Sequence, residues 1–214
     1  MDVRYYSLVI CLLITAVFFV IQGLFGVDLA WNVGSFEPNF FFSMIAHGSV
    51  GHLLGNLFAL FLFGLILEGT VGSKRFLYVL AAAAVIGNLA GIGSYNRVLG
   101  ISGGVYGLIG ALTVLRPKMV MWVSGMPMPM VVAGFGYAFV DIVGAAAGTT
   151  GTGHFAHLAG FVVGGYLGWR WRDEAATRGE GFFESRSRRS RSLSREERRR
   201  LDDRLDDYED RYLR

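Results

Sequence analysis

Apolar residues fall into six runs along residues 1–172: near 5–26, 50–70, 75–95, 101–116, 128–147 and 154–172. Each is bounded by charged or turn-forming positions. A helix needs about 20 apolar residues to cross about 30 Å of hydrocarbon. The pattern therefore predicts an all-α membrane protein built as a bundle of six transmembrane helices. Residues 7–26 are read as a retained first span, because the run is long and no small-x-small cleavage site follows it. From residue 173 the pattern changes to a charged tail. Ser194 with Glu197 fits a capping box, and Leu201, Leu205, Tyr208 and Tyr212 recur on one helical stripe. The expected division is a six-span domain at 1–172 and a charged tail at 173–214. Within the tail, a flexible linker is expected at 173–193 and a short amphipathic helix near 195–212.

Composition and charge sharpen this picture. The chain is 53% hydrophobic and 17% charged, against about 25% charged in a soluble domain. Residues 173–214 hold 12 Arg and 12 Asp or Glu, which leaves 8 Lys or Arg and 5 Asp or Glu for residues 1–172. Six crossings put both termini on one side, and cytoplasmic segments carry the excess of Lys and Arg. With the N-terminus inside, the inner segments carry Arg4, Lys74, Arg75, Arg116, Lys118, Arg170 and Arg172, and the outer loops carry Arg97 alone. Both termini are thus expected in the cytoplasm. The first outer loop, 27–48, contains Trp31, Phe36 and Phe40–Phe42 without Lys or Arg, and is expected at the membrane interface. A single Cys, Cys11, excludes an intramolecular disulfide framework and any Cys-based metal cluster.

The fourth span is short. Ile101 to Arg116 covers about 24 Å at about 1.5 Å per residue. If Arg116 marks the inner surface, the helix begins below the outer surface and the loop around Gly93–Gly100 dips into the membrane. Irregular backbone at that depth needs cover from protein or a water-filled cavity. A wet pocket near the outer face follows.

Polar side chains converge on that level. Ser102 lies about 21 Å above Arg116, His157 about 20 Å above Arg170, and Asn56 about 20 Å above Gly69, with His52 one turn higher. Glycine stripes, Gly103, Gly107 and Gly110 on the fourth span and Gly153, Gly160, Gly164 and Gly168 on the sixth, would let these helices approach closely. A serine hydroxyl is a weak nucleophile until a neighbouring base takes its proton, and a neutral imidazole is the usual base. The oxyanion formed on attack needs donors already aimed at it. The unpaired N–H of Ser102 at a helix start and the side chains of His52 and Asn56 are candidates. No carboxylate sits at this level unless Asp141, in the outer half of the fifth span, reaches it, so a Ser–His dyad rather than a triad is expected.

These residues resemble those of rhomboid intramembrane serine proteases over essentially all of residues 1–172. Gly100–Ile101–Ser102–Gly103 matches the family's Gly-x-Ser-Gly motif, and Ala156–His157–Leu158–Ala159–Gly160 the motif around its general base. His47, His52 and Asn56 match the second-span pattern His-x4-His-x3-Asn, and Glu68 with Gly72 matches the inner end of that span. The resemblance implies Ser102 as nucleophile and His157 as general base. It implies an oxyanion hole from His52, Asn56 and the Ser102 N–H. Tyr106 would pack against the His157 ring and hold its orientation, Gly100 would let the loop backbone approach the substrate, Gly103 would be a further supporting residue, and His47 and Glu68 would be structural. It also implies hydrolysis of other proteins' transmembrane segments near their outer ends, with no metal or cofactor, and substrate entry gated by the second and fifth spans and the last outer loop.

Some positions fall outside that pattern. Pro38–Asn39–Phe40 stands where the family often has a Trp-Arg pair. His154 is expected as a solvated residue at a helix start, and Asp141 as a polar packing residue of the fifth span. The expected location is the cell membrane, multi-pass, with the site open to the extracellular side. The expected partners are transmembrane protein substrates and the lipid bilayer. Eight Arg in 186–200 could dock on anionic lipid; no nucleic-acid partner is expected. A monomer would suffice for catalysis. The alternative is a proteolytically inactive rhomboid-like binder or chaperone of membrane proteins. A transporter would instead require polar residues along the depth of the bundle.

Overall fold

The computed structural model describes residues 5–192 except 36, 124 and 150, with side chains through residue 174. Helix α1 (Tyr6–Ala16) continues as a π-helical segment, Val17–Leu24. A long loop follows, holding strand β1 (Trp31–Asn32) and the short helix α2 (Asn39–Phe42). Then come α3 (Val50–Val71), α4 (Ser73–Ala90), strand β2 (Arg97–Val98) and α5 (Ser102–Leu115). A hairpin of β3 (Val120–Val123) and β4 (Met126–Pro129) leads into α6 (Met130–Ala146), and α7 runs His154–Ser192.

Three of the described helical segments are long and apolar enough to cross a membrane: Tyr6–Leu24, Val50–Val71 and Ser73–Ala90. Ser102–Leu115 and Met130–Ala146 are apolar but shorter. Large apolar side chains lie on the outside of the bundle, among them Leu12, Leu24, Phe58, Phe135, Phe139 and Val162. Water would not tolerate such a belt, whereas lipid favours it. This is a membrane protein.

Two features position the site. The first is the start of each helix. Ser49 caps α3 by accepting a hydrogen bond from the His52 N–H at 3.1 Å, an N-cap that fixes the first turn. Glu68, fully buried, accepts from the N–H groups of Tyr6 and Ser7 and from the hydroxyls of Ser7 and Ser73 at 2.7–3.1 Å. One carboxylate thereby closes the starts of α1 and α4. Between α3 and α4 stands Gly72 alone, at φ +88°, where a side chain would be strained.

The second is close packing around α5, which is buried along most of its length. A Cβ on Gly160 would lie 2.0 Å from the Gly103 carbonyl oxygen, and one on Gly164 would lie 1.8 Å from that of Gly107. The α5 and α7 backbones therefore touch, as small residues permit. Gly153, grouped with this stripe by spacing, meets only Ala156.

Several details differ from the sequence expectation. The third run ends its helix at Ala90, and 91–94 form turns. The run expected from 128 begins its helix at Met130, because Pro127 and Pro129 sit in β4, where they pair with Trp122 and Val120. In the loop 27–48 the aromatics divide: Trp31 is buried and stacks edge-on against Phe40 at 4.9 Å, while Phe41 and Phe42 are exposed. The backbone groups into units 1–172 and 173–214. Where a linker is expected at 173–193, helix continues through Ser192; Glu and Ala at 174–176 favour it and no proline interrupts it. The expected helix near 195–212 and the tail's capping box, 194–197, lie outside the described residues.

Candidate active site

Ser102 is the first residue of α5, so its N–H has no partner within the helix. The loop before it is tied to the 40–43 segment, which α4 in turn braces. The Gly100 N–H donates to the Ser43 carbonyl at 2.8 Å, and Asn88 on α4 donates to the Phe40 carbonyl and the Ser43 hydroxyl at 3.0 and 3.1 Å. Gly100 has φ +109°, and a Cβ there would stand 2.8 Å from His52 Nε2. Only glycine lets the His52 ring approach so closely.

His157 reaches this point from α7, one turn beyond His154. Its Nε2 lies 2.8 Å from Ser102 Oγ. Its ring stacks on Tyr106 with centroids 4.2 Å apart and planes 7° from parallel, and Tyr106 in turn meets Tyr137 edge-on at 6.3 Å. Asn56 is buried and its side-chain amide donates to the His52 carbonyl at 3.1 Å. The lining of a cavity of about 290 Å³ includes His52, Asn56, Gly100, Ser102, Gly103 and His157. A second, of about 280 Å³, runs from Ser102 past Tyr106 and Tyr137 to Trp122. All the residues singled out from the sequence at this level are thus brought around one space.

His47 lies apart from it. The ring is buried, sits 5.0 Å from that of His52, and neither nitrogen meets a hydrogen-bond partner among the described residues. Burial, with His52 beside it, pushes its pKa down to about 4. It is neutral at physiological pH and packs as an apolar group would.

The rhomboid domain, as a family, matches residues 30–173 of the chain. The chain belongs to the rhomboid family. A relative in Bacillus subtilis (strain 168), named "Putative rhomboid protease YdcA", is 38% identical over 73 residues, covering 31% of this chain and 35% of the relative. The chain thus matches about a third of that relative's length.

Within this rhomboid domain two polar residues stand differently from the sequence expectation. Asp141 on α6 is buried, and its Oδ1 lies 3.0 Å from His157 Nδ1 and 2.7 Å from His154 Nδ1. His154, expected to be solvated, is buried, and its Nε2 lies 2.7 Å from the Thr149 hydroxyl. The cause is the position of α6, which carries Asp141 onto the face of α7 shared by His154 and His157. A signal existed in the sequence: a carboxylate within an apolar span is too costly to stand without partners, and two histidines three apart on one helix face were available. Among the described residues no group of three or more His, Cys, Asp or Glu has the arrangement of a metal site.

Proposed function

We propose that the protein is an intramembrane serine endopeptidase that cleaves the transmembrane segments of other membrane proteins near their outer ends. The observation that carries this reading is the 2.8 Å approach of His157 Nε2 to Ser102 Oγ, at a helix start beside a cavity in an apolar bundle. In this reading the chain crosses the cell membrane six times, with both termini in the cytoplasm and the site open to the extracellular side. The Lys and Arg distribution supports that orientation.

Ser102 Oγ attacks the scissile carbonyl carbon as its proton passes to His157 Nε2. The carbonyl oxygen becomes an oxyanion, met by the Ser102 N–H and the His52 and Asn56 side chains. Asn56 has to redirect its amide from the His52 carbonyl. Collapse of the intermediate breaks the C–N bond, and the departing amine takes the proton from Nε2. Water then attacks the acyl ester, giving a proton to Nε2; the ester C–O bond breaks, the new carboxyl product leaves, and Ser102 recovers its proton. Tyr106 keeps the imidazole plane fixed through both halves. Substrate enters sideways between α3 and α6, the sides of the cavity that runs from Ser102 to Trp122.

The test is reconstitution of the full chain in liposomes with a panel of single-span fusion proteins. Fragments cut within or beside the span by the wild type, and absent with Ser102→Ala, are expected. Fragments that persist with Ser102→Ala, or no cleavage of any panel member by folded wild type, would overturn the reading. In the second case the binder of membrane proteins becomes the better account.

A further inference from the structure

We propose that Asp141 is a positioning residue for His157, and that His154 and Thr149 hold its carboxylate in place. This rests on the reading of Ser102 and His157 given above, and it adds to the expected dyad a third group that acts through the base.

Ser102 and His157 alone leave the ring's other nitrogen unassigned. Nδ1 faces Asp141 Oδ1 at 3.0 Å. A carboxylate can only accept, so Nδ1 carries the hydrogen and Nε2 keeps the lone pair that must receive the serine proton. When that proton arrives, the imidazolium that forms lies beside a buried anion. Tyr106 fixes the ring's plane, whereas Asp141 selects its tautomer and stabilises its charged form.

One carboxylate oxygen serves both histidines, and the arrangement around His154 accounts for its fixed position. The His154 Nδ1 approaches Oδ1 at 2.7 Å, more closely than His157 does. At its far side Nε2 meets the Thr149 hydroxyl at 2.7 Å, and that hydroxyl also lies 3.0 Å from the Gly144 carbonyl. The ring fits against α6 because residue 144 is glycine: a Cβ there would stand 2.4 Å from His154 Cε1. A continuous polar chain therefore runs from Gly144 through Thr149, His154 and Asp141 to His157 and Ser102. A residue that only filled space would need neither the second histidine nor its threonine.

The test uses full-length protein in detergent and an alkyl fluorophosphonate. In that reaction the Ser102 Oγ–P bond forms, the P–F bond breaks, fluoride leaves and the Oγ proton moves to His157 Nε2. The saturating labelling rate and the half-saturating probe concentration are measured for wild type, Asp141→Asn, Asp141→Glu and Thr149→Val, alongside the melting temperature. Asp141→Asn is expected to lower the saturating rate by roughly 10²- to 10⁴-fold with the half-saturating concentration unchanged. Asp141→Glu should recover part of the loss. Thr149→Val, which touches neither Ser102 nor His157, should slow labelling by about tenfold, an indirect share of that loss. A wild-type saturating rate in folded Asp141→Asn overturns the proposal. If that variant does not fold, wild-type rates in both Asp141→Glu and Thr149→Val overturn it. Absence of labelling in folded wild type instead overturns the Ser102–His157 reading itself.

Discussion

Two buried carboxylates, Glu68 and Asp141, sit in the same apolar bundle and teach opposite lessons. Around Glu68 four donors, two backbone and two hydroxyl, fill both oxygens, and all of them belong to helix starts. Around Asp141 two imidazoles converge on Oδ1, the Tyr106 side chain also interacts with the carboxylate, and one of those imidazoles borders a cavity. A carboxylate that is saturated by fixed donors and sealed from any space stabilises a fold. One that faces a proton-carrying group beside a cavity is placed for chemistry.

Substitutions can break or sharpen this contrast, and the largest effect belongs to the reactive cluster. Ser102→Ala is expected to remove fluorophosphonate labelling altogether and to lower proteolysis by at least about 10⁴-fold, with the melting temperature unchanged. At the other carboxylate the balance reverses. Glu68→Gln places an amide against backbone donors and should cost about 3 kcal/mol of stability in detergent unfolding, while the labelling rate per folded molecule stays at the wild-type value. A loss of rate there, without loss of stability, would undo the distinction between the two sites. Asn56→Ala removes one oxyanion donor and should lower the turnover of a cleaved substrate by about 10²-fold. Its effect on stability should be small, because its listener is only the His52 carbonyl one turn back.

The smallest effect concerns His47, whose ring nitrogens meet no hydrogen-bond partner among the described residues. Its folded pKa of about 4 lies below the ordinary 6.5. Between those values the unfolded chain binds a proton that the folded chain does not, so His47 contributes stability fully above pH 6.5 and loses it as pH falls toward 4. His47→Leu should flatten that part of the stability–pH curve in detergent. An unchanged slope would mean that another group governs it.

Much of this architecture was legible in the sequence, and the reasons are physical. Apolar runs and Lys/Arg placement report on the solvent around each segment, so the helices appear near the expected positions. Matched depth along parallel helices was enough to gather Ser102, His157, His52 and Asn56, and the facing glycines Gly103–Gly160 and Gly107–Gly164 follow from the spacing. What depth does not encode is rotation. Whether Asp141 faces lipid, a neighbour or the base depends on how α6 turns about its axis, and an α6 face of Phe135, Phe139 and Val140 against lipid turns Asp141 inward. His154 departs from its expected solvated position for the same reason, since a helix start is solvated only where nothing covers it. The β3–β4 hairpin is not legible in the sequence, because a proline run reads as a helix start and its strand pairing depends on a partner segment.

The measurement that bears most directly on the central claim is fluorophosphonate labelling of purified, folded protein, comparing wild type with Ser102→Ala and His157→Ala. Labelling of the wild type that is lost in both variants is the predicted result, because the 2.8 Å Oγ–Nε2 contact is what makes the hydroxyl a nucleophile. Equal labelling of wild type and His157→Ala, or none in the wild type, would contradict it.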